Sequence, residues 1–359
     1  MRYALIGCGR VAVNHMNAAK TNGFEIAAVC DIDPNQIDSL FRRLGWDEAA
    51  VSGINRYACY EEMLSRETPD FVSVATPSGT HAEIALAVMG AGVNVLIEKP
   101  VALSLPDADR LIATAKQTGV TAGVCHQNRF NLSVQEMRRH LENGDFGRLS
   151  NAAVTVRWSR GPEYYAQAPW RGTWADDGGC LMNQCIHGID LLLWMCGGDL
   201  KTVFGRTRRA FHPYIEAEDL GAAVLEFDNG VLATVEGTVN VAGKDLEEHL
   251  TLIGEKGSMK LGGTSANNVA YIAFDGEKER NTLIEKTENV YGNGHVPLFR
   301  DFAEAIVAKR APYVTLEDGR KALSAVLSIY YSAFTGQPVG APPPDLGTAT
   351  FAEKEREDG

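Results

Sequence analysis

Arg2-Tyr-Ala-Leu-Ile-Gly-Cys-Gly-Arg-Val-Ala12 is the stretch that decides the fold of the first part of the chain. Its apolar beginning predicts a short buried strand, and the residues that follow, to about position 21, predict a helix. A Gly-x-Gly-x-x-Ala motif between a strand and a helix is typical of dinucleotide binding. Gly7 permits the tight turn, Gly9 lets the backbone approach a pyrophosphate, and Ala12 allows close helix–strand packing. The alternative is a glycine-rich turn without a ligand.

The next predicted strand, residues 25–30, ends in an acidic residue that argues for a ligand. Asp33-Pro34 predicts a helix cap with proline at the first helical position. Asp31 is therefore not needed for capping, and it stands where a carboxylate binds the adenosine ribose hydroxyls. Because that carboxylate would repel a 2′-phosphate, the sequence favours NAD over NADP. Arg42 and Arg43 lie too far along the next predicted helix to weaken this preference much.

Strand and helix patterns alternate through the first 125 residues. Further buried strands are predicted at 70–75, 93–97 and 121–125, with helices between them. This alternation is typical of a parallel sheet with helices on both faces. We therefore predict an α/β Rossmann dinucleotide-binding domain over residues 1–125.

Two motifs in this domain follow predicted strands, at the sheet edge where ligands of such folds bind. Glu98-Lys99-Pro100 places a lysine there, although a solvated surface lysine is the alternative. Thr76-Pro77-Ser78-Gly79-Thr80-His81 turns into a helix, and His81 could instead be a hydrogen bonder at the helix N-terminus. Both motifs are candidate parts of the dinucleotide site.

Residues 126–335 predict a second, α+β domain. A half-exposed strand at 149–159 is followed, further on, by six short strands between residues 202 and 274, joined by hairpin turns such as Asp228-Asn229-Gly230. Consecutive hairpins indicate a large, mostly antiparallel sheet, one face of which could pack on a second subunit. A Thr315/Asp318 pair predicts the cap of the last long helix. Residues 336–359, rich in Pro and Gly and then charged, predict a partly disordered tail.

Residues 178–194 of the second domain predict a helix with an unusual polar face. Asn183, His187 and Asp190 recur at helical spacing, so they project from one side. Polar groups on a buried helix need polar partners, which are either a ligand or the neighbours of a structural histidine. The preceding loop, 160–177, suits a polar or anionic ligand, although its aromatic residues could simply cover a sheet edge. Its candidate residues are Arg160, Tyr164, Tyr165, Trp170, Arg171 and Trp174.

Composition excludes several classes of function. The chain has 359 residues, 45% of them apolar, and a formal net charge of −12. That charge argues against nucleic-acid and acidic-membrane partners. We see neither a membrane-spanning run nor a signal-peptide layout. Seven scattered cysteines without a Cys-x-x-Cys motif fit reduced thiols in a cytoplasmic protein and suggest no metal site.

Together these motifs resemble the Gfo/Idh/MocA family of NAD(P)-dependent oxidoreductases over about residues 1–340. The glycine-rich motif, the Thr76–His81 turn, Glu98-Lys99-Pro100 and the Asn183/His187 helix occur in the family's order. Within the family, several stretches look like the UDP-N-acetyl-2-amino-2-deoxyglucuronate dehydrogenases, which oxidise a sugar 3-hydroxyl. These stretches are Gln127-Asn128-Arg129, Glu163-Tyr164-Tyr165, Trp170-Arg171-Gly172-Thr173-Trp174, Asp177-Gly178-Gly179, Met182-Asn183-Gln184, Val290-Tyr291-Gly292 and Gly294-His295.

The resemblance implies NAD as the cofactor and gives roles to the motif residues. His187 is the candidate base, because its ordinary pKa of about 6.5 suits proton exchange near neutrality. Lys99 would stabilise the charge on the reacting oxygen, and it is the other contender for the base. Inositol-dehydrogenase-like members carry Asp where this chain has Asn183, which can only orient His187 or the substrate.

The implied binding residues fall into two sets. Cofactor contacts are expected from Gly7, Cys8, Gly9, Arg10, Val11, Asp31, Ile32, Thr76, Pro77, Ser78, His81, Glu98, Lys99, Gln127 and Asn128. Substrate contacts are expected from Lys99, Arg129, Arg160, Tyr164, Tyr165, Trp170, Arg171, Asn183, His187 and His295. The three arginines are suited to a carboxylate or diphosphate, because a guanidinium donates in pairs.

The sequence thus predicts oxidation of a UDP-sugar uronate, UDP-N-acetylglucosaminuronate, to its 3-keto form, in the synthesis of a bacterial surface polysaccharide. By resemblance, 2-oxoglutarate could reoxidise the NADH, and the protein would be a homodimer or homotetramer. One alternative is a dehydrogenase of a free sugar, glycoside or inositol. Another is a catalytically inactive NAD-binding sensor, against which the presence of both Lys99 and His187 argues.

Overall fold

A computed structural model describes residues 1–275, 284 and 292–355, and the chain forms two compact units. The first unit comprises Met1–Ala102, Asp107–Cys125 and His295–Arg320. The second comprises Leu103–Pro106, His126–Gly294 and Lys321–Gly359. Val290, Tyr291 and the last four residues, to which the sequence analysis gave a motif and a tail, lie outside the described residues.

Helices and strands of the described residues are numbered in chain order. The strands are β1 (Arg2–Ile6), β2 (Glu25–Cys30), β3 (Asn55–Tyr57), β4 (Phe71–Val74), β5 (Asn94–Ile97), β6 (Ala122–Val124), β7 (Leu149–Arg157), β8 (Leu200–Arg208), β9 (Leu220–Phe227), β10 (Leu232–Thr238), β11 (Glu247–Gly254), β12 (Gly257–Gly262) and β13 (Asn268–Phe274). The helices are α1 (Ala12–Thr21), α2 (Pro34–Leu44), α3 (Glu48–Val51), α4 (Tyr60–Arg66), α5 (His81–Gly90), α6 (Leu105–Thr118), α7 (Leu132–Glu142), α8 (Pro162–Tyr165), α9 (Gly179–Asn183), α10 (Ile186–Cys196), α11 (His295–Ala308), α12 (Leu316–Thr335) and α13 (Ala349–Glu355).

The first unit is built on a six-stranded parallel sheet of order β3-β2-β1-β4-β5-β6. This confirms the predicted Rossmann domain, in which parallel strands need helical crossovers. The strand order reverses between β1 and β4, and the carboxyl ends of the strands carry the motifs found in the sequence. The Asp33 cap of α2 is confirmed, since its carboxylate accepts a hydrogen bond from Asn35 N.

Helix α11 belongs to the first unit, so the prediction of one continuous second domain from 126 to 335 was wrong. Phe299 packs edge-on against Tyr3 and Phe71, with ring centroids 5.7 and 5.9 Å apart. Phe302 contacts Phe71 at 5.4 Å. An amphipathic helix pattern shows which face is buried but not which core receives it, and here the aromatic residues of the Rossmann core receive it.

The second unit contains a seven-stranded sheet of order β13-β12-β11-β7-β10-β9-β8. Its neighbours are antiparallel except β7 and β10, which confirms the predicted large, mostly antiparallel sheet. Helix α10 packs closely on this sheet, because a Cβ on Gly188 would lie 2.8 Å from Val154 Cγ2. The sheet therefore fixes the position of the residue next to His187.

The predicted single helix at 178–194 is two helices in the structure, α9 and α10. Residues Gln184 and Cys185 separate them, and Cys185 N bonds Cys180 O at 3.0 Å across the junction. Asn183 and His187 therefore lie on different helices, and the expectation of one continuous polar face was wrong. Helix propensity depends on the type of each residue and does not change at this break, so the apolar sequence of residues 178–194 does not reveal it.

The region predicted as a partly disordered tail is packed as far as residue 352. Val339 pairs with Val203, and Leu105 N donates to Leu346 O at 3.0 Å. Phe351, 6% exposed, packs 5.5 Å from the rings of both Trp174 and Tyr330. A proline-rich composition is typical of linkers, but these apolar side chains find partners that are distant in sequence. Among the described helices, none is both long and apolar enough to cross a membrane.

Candidate active site

The glycine-rich loop in the first unit fits a dinucleotide. Gly7 has φ of 96°, and a Cβ there would lie 2.5 Å from the backbone of Ala75, so only glycine is accommodated. A Cβ on Gly9, by contrast, would meet no atom within 4 Å. Gly9 thus leaves open space at the start of α1, where the backbone N–H groups of a helix N-terminus attract a pyrophosphate. Cys8, Arg10 and Val11 complete this loop.

Asp31 lies beside the loop, at the end of β2, as predicted. Its carboxylate accepts hydrogen bonds from Cys8 N at 2.8 Å and from Asp33 N at 2.9 Å. Ile32 next to it is 90% exposed, which leaves an apolar surface for an adenine ring. This arrangement of a fixed carboxylate and an open apolar side chain fits the adenosine end of NAD.

Arg43 is closer to the loop than the sequence analysis expected. Its Nη2 donates to Cys8 O at 2.7 Å and its Nη1 to Gly9 O at 3.0 Å. The long side chain spans from the last turn of α2 to the loop carbonyls, a reach that helix position alone does not reveal. Because those carbonyl oxygens accept hydrogen bonds from the guanidinium, Arg43 stabilises the conformation of the loop.

The turn after β4 is braced by His81. Its ring nitrogens lie 2.8 Å from Pro100 O and 2.9 Å from Thr76 O, and burial lowers the pKa of the imidazole. The ring is 1% exposed and both its nitrogens face carbonyl oxygens, so the alternative role of a hydrogen bonder at the helix end agrees with the structure, and a cofactor contact of His81 stays a prediction. Thr76 and Pro77 are half-buried and Ser78 is buried, so the first two are the candidates for contact with the cofactor.

Lys99 follows β5 at the sheet edge and is half-buried. Glu98, in contrast, turns its carboxylate inward, where it accepts a hydrogen bond at 2.8 Å from His15 Nε2 and is 5% exposed. A cofactor contact by Glu98 stays a prediction. His295 was predicted to bind substrate, but it lies in the first unit, 5% exposed, with Nε2 3.9 Å from Glu98. Chemically, this edge offers the Lys99 amine, which is next in the chain to a buried acid.

His187, the candidate base, lies at the start of α10 in the second unit and is 4% exposed. The ring of His126 lies edge-on to it, with centroids 6.0 Å apart. His126 Nδ1 is in turn 3.9 Å from Asp190 Oδ2. Asp190, the third polar residue of the predicted face, thus lies near His126, whose ring lies next to that of His187.

Arg129 is held by a buried carboxylate, and its predicted contact with substrate stays a prediction. Its Nε and Nη2 donate to the two carboxylate oxygens of Asp190 at 2.8 and 2.6 Å, and the two residues are 3% and 1% exposed. Its guanidinium also stacks on Trp194 at 5.0 Å. A buried charge needs a buried counterion, and Asp190 supplies it to Arg129 through two hydrogen bonds.

A polar network surrounds Asn183 in the second unit. Asn183 Nδ2 donates to Asp177 Oδ1, and Gln184 Nε2 donates to Asn183 Oδ1. Two further hydrogen bonds extend the network to the loop. Gln184 Nε2 donates to the Tyr164 hydroxyl at 3.0 Å, and Arg160 Nε donates to Gln184 Oε1 at 2.8 Å. The structure therefore brings together residues of the predicted loop and helix.

Two of the three candidate arginines belong to this network, but they differ in whether a carboxylate of the described residues pairs with the guanidinium. Arg160 is paired with Asp245 at 2.7 Å. Arg171 is half-buried, stacks on Tyr164 at 4.3 Å and on Trp170 at 4.6 Å, and has no carboxylate partner within the described residues. Its Nε is buried without a hydrogen-bond partner in that same part of the chain. Arg171 is thus the cation suited to an anionic ligand.

The remaining predicted site residues are also placed in the second unit. Tyr165 packs among Tyr164, His212 and Tyr214, with centroids 5.1 to 5.8 Å away. Gln127 and Asn128 are each 1% exposed, and Asn128 Nδ2 lies 3.5 Å from Glu248 Oε2. Burial raises the pKa of Glu248 to about 8. Their contacts with a cofactor stay predictions.

The sequence did not identify the residues that hold the candidate site residues in place through buried hydrogen bonds. Asp177, 2% exposed, holds Asn183, and Glu218, 3% exposed, accepts from the N–H groups of Cys180 and Leu181 at the start of α9. His15 on α1 holds Glu98. An acid or histidine carries no signal of such a role in the sequence, because its partner becomes known only from the fold.

A doubly wound parallel sheet with this glycine-rich loop, an acid ending β2 and a lysine following β5 defines an NAD-binding oxidoreductase. The family comparison is more specific. A model described as the oxidoreductase family with an NAD-binding Rossmann fold matches residues 1–126. A model described as the GFO/IDH/MocA C-terminal domain matches residues 134–260. The chain belongs to the Gfo/Idh/MocA oxidoreductase family.

Solved structures and curated proteins resemble the chain along most of its length. The WlbA dehydrogenase of Bordetella pertussis, solved with NADH and UDP-GlcNAcA, is 31% identical, with 96% of this chain and 99% of that chain covered and a TM-score of 0.83. The Chromobacterium violaceum WlbA dehydrogenase, solved with the same two molecules, is 32% identical, with 95% and 96% covered and a TM-score of 0.84. Myo-inositol 2-dehydrogenase of Thermotoga maritima is 25% identical over 329 residues, 90% of this chain and 93% of that protein.

Proposed function

We propose that this protein oxidises the 3-hydroxyl of a UDP-sugar uronate, UDP-N-acetylglucosaminuronate, to a ketone with NAD. The observation that carries the proposal is the polar network around Asn183, which ends in Arg171. A guanidinium without a carboxylate partner among the described residues suits the carboxylate or diphosphate of such a substrate. The likeness to two WlbA dehydrogenases, both solved with UDP-GlcNAcA, supports the same substrate class.

In the proposed reaction, His187 removes the hydroxyl proton as the C–H bond breaks. The imidazole is 4% exposed, which shields it from water, and in the proposed role of general base it accepts this one proton. The Lys99 ammonium donates a hydrogen bond to the same oxygen and stabilises its negative charge. NAD⁺, when bound, supplies the acceptor for the hydride.

Asn183 positions the sugar in this proposal. Both ends of its amide are held, by Asp177 and by Gln184, so its orientation is fixed before substrate arrives. Unlike the Asp of inositol-dehydrogenase-like members, this amide carries no charge, so in the proposal it acts only as a hydrogen-bonding group.

A second candidate function is oxidation of a free sugar or cyclitol. The likeness to myo-inositol 2-dehydrogenase supports it, because that relative covers most of both chains. The two candidates differ in what they require of Arg171. A neutral cyclitol offers this guanidinium no anion, whereas a sugar nucleotide offers three anionic groups.

The test is NADH absorbance while purified protein and NAD⁺ are incubated with UDP-N-acetylglucosaminuronate, with and without 2-oxoglutarate. Mass spectrometry should find a sugar nucleotide lighter by two hydrogen atoms. UDP-N-acetylglucosamine, N-acetylglucosaminuronate and myo-inositol serve as matched substrates that lack the carboxylate, the UDP or both. Oxidation of myo-inositol alone would replace the first candidate by the second, and binding of NAD⁺ without oxidation of any alcohol would favour the inactive sensor.

We further infer that the protein forms a homodimer or homotetramer through the open face of the seven-stranded sheet. Phe204, Val224, Leu232 and Ile253 lie on that face and are 38% to 52% exposed. An apolar surface of this kind supports contact with a second copy. Light scattering of the wild type and of a Val224→Lys variant tests the inference, since the variant should yield a smaller species.

A further inference from the structure

Helix α9 carries Asn183 and is only five residues long. A helix of about one turn is not stable in isolation and forms where tertiary contacts support it. Its first N–H groups also have no acceptor within the helix itself. The position of Asn183, the last residue of α9, therefore depends on the groups that hold the start of this helix.

Glu218 and Tyr330 hold the start of α9. The Glu218 carboxyl group accepts hydrogen bonds from Cys180 N at 2.6 Å and from Leu181 N at 2.8 Å. The Tyr330 hydroxyl accepts from Met182 N at 3.2 Å. Three consecutive N–H groups of α9 thus depend on two side chains, which are 3% and 2% exposed. In so buried a position, loss of either partner leaves an N–H group unsatisfied.

The chain leaves space for this carboxyl group because residue 179 is glycine. A Cβ on Gly179 would lie 2.7 Å from Glu218 Cδ, and the φ of Gly179 is 88°. Both the close contact and the backbone angle favour glycine. Cys180 N also donates to the backbone oxygen of Glu218 at 3.0 Å. The backbone and the side chain of one residue therefore both hold the first turn of α9.

The hydrogen bonds around Tyr330 require an uncharged Glu218. The Tyr330 hydroxyl oxygen lies 2.5 Å from Gly178 O and 2.6 Å from Glu218 Oε1. A hydroxyl group has one proton, so it donates to only one of these two oxygens. A protonated carboxyl group satisfies both contacts, because Glu218 then donates to Tyr330 while Tyr330 donates to Gly178 O. In agreement, burial raises the pKa of Glu218 to about 8 and raises that of Tyr330 well above its usual value.

The titratable groups near this carboxyl group favour the same uncharged state. Burial acts to raise the pKa of Asp219, but hydrogen bonds such as those from Ala210 N and Asn240 lower it, so Asp219 is an anion. Its negative charge adds to the effect of burial on the pKa of Glu218. Burial raises the pKa of both the Cys180 thiol and the Tyr165 hydroxyl, which are therefore neutral. None of these three neighbours supplies a positive charge that would stabilise a carboxylate.

We propose that Glu218, as an uncharged carboxyl group, is a positioning residue for Asn183. It holds the first turn of α9 directly and through Tyr330, and so fixes the backbone that carries the Asn183 amide. Asp177 and Gln184 hold the amide itself, which sets its rotation but not the position of its helix. The consequence for substrate rests on the proposed function, in which Asn183 positions the sugar.

Amide hydrogen exchange of the full-length protein tests the contact with α9 without substrate. A glutamine amide has one acceptor oxygen in place of two, so Glu218→Gln leaves one N–H group of α9 without its partner. Tyr330→Phe removes the hydroxyl but keeps the ring. In both variants we expect peptides covering residues 178–185 to exchange about fivefold faster, as for the loss of one hydrogen bond. If Glu218→Gln does not fold, Tyr330→Phe carries the test.

Ser332→Ala is the matched control, because it also deletes a buried hydroxyl group of α12 that contacts two backbone groups. Ser332 Oγ accepts from Gly205 N at 3.0 Å and donates to Gln337 O at 2.6 Å, and neither partner belongs to α9. Exchange of residues 178–185 in this variant should match the wild type. Equal acceleration in all variants would indicate general destabilisation and overturn the proposal, as would unchanged exchange in Tyr330→Phe.

Infrared spectroscopy tests the charge of Glu218. At neutral pH, the difference spectrum between the wild type and Glu218→Gln should contain the C=O band of a protonated carboxyl group. That band should disappear as the pH rises above about 8. Tyr330→Phe should shift the same band, since the carboxyl group loses its acceptor, and this measurement does not need the Glu218 variant. A carboxylate band at neutral pH would refute the uncharged state.

Kinetics test the consequence for substrate. With UDP-N-acetylglucosaminuronate, kcat/KM of Tyr330→Phe should fall about tenfold, because a misplacement of about 1 Å can cost about a hundredfold. The KM for NAD⁺ should stay as in the wild type, and Ser332→Ala should retain both values. A parallel rise in the KM for NAD⁺ would contradict specific positioning. If the wild type oxidises no sugar nucleotide, the proposed function fails, whereas exchange and infrared spectra still decide whether Glu218 holds Asn183.

Discussion

Replacing Arg129 by methionine tests whether this residue is a buried counterion or a substrate ligand. The substitution leaves the Asp190 carboxylate, 1% exposed, without the guanidinium that now donates two hydrogen bonds to it. Breaking a buried ion pair in this way costs about 3–5 kcal/mol. For a unit of this size each kcal/mol lowers the melting temperature by about 2–4 °C. We therefore expect the melting temperature, measured by circular dichroism, to fall by roughly 6–20 °C.

Arg138→Met is the matched control for this prediction. Arg138 stacks on the same Trp194 ring at 4.7 Å, but its partner Glu142 is 59% exposed. Since exposed ion pairs contribute about 1 kcal/mol or less, its loss should change the melting temperature little. The double variant Arg129→Met/Asp190→Leu should recover part of the stability, because no unpaired charge remains. If Arg129→Met instead melts like the wild type and raises the KM for substrate, the structural interpretation is refuted.

Three further predictions concern the cofactor site, a buried acid and the chain end. Asp31→Ala should weaken NADH binding about tenfold or more, since hydrogen bonds to a charged group contribute about 1.5–3 kcal/mol. It should also reduce the preference for NADH over NADPH. Fluorescence titration with both cofactors measures the two affinities, and an unchanged ratio between them would contradict the prediction. Burial raises the pKa of Glu248 from 4.5 to about 8, so between these values the folded state keeps a proton that the unfolded chain loses, and stability falls as pH rises. Glu248→Gln should lose less stability than the wild type between pH 5 and pH 8 in urea unfolding, and parallel curves would argue against it. Phe351→Ala should destabilise the second unit by about 3–5 kcal/mol; no change in the urea midpoint would restore the disordered-tail interpretation.

The sequence predicted features that depend on adjacent residues better than features that depend on distant ones. Gly7, Gly9 and Asp31 could be placed because the requirements on them are local: a tight turn, an open approach to the backbone and the end of a strand. The Asp33 cap and the Thr315/Asp318 pair are local in the same sense, and both occur in the structure. Residues whose roles depend on neighbours in the chain can be read without knowing the fold.

The roles of Arg129 and His295 could not be read in this way. Each stands in a stretch whose sequence resembles those of sugar-nucleotide dehydrogenases, yet Arg129 pairs with Asp190, 61 residues away, and His295 lies 3.9 Å from Glu98. A guanidinium or imidazole has the same chemistry toward a ligand and toward a buried acid. Which of the two it meets depends on packing between distant segments.

The sequence by itself thus determined the Rossmann domain, the mostly antiparallel sheet, the glycine-rich loop and the two candidate catalytic groups, Lys99 and His187. The tertiary structure alone decided that α9 and α10 are separate, that α11 completes the first unit and that Phe351 is packed. It also decided which arginine is available for an anion. The physical reason is that backbone conformation responds to adjacent residues, whereas burial and charge pairing are settled only when remote segments compete for the same partners.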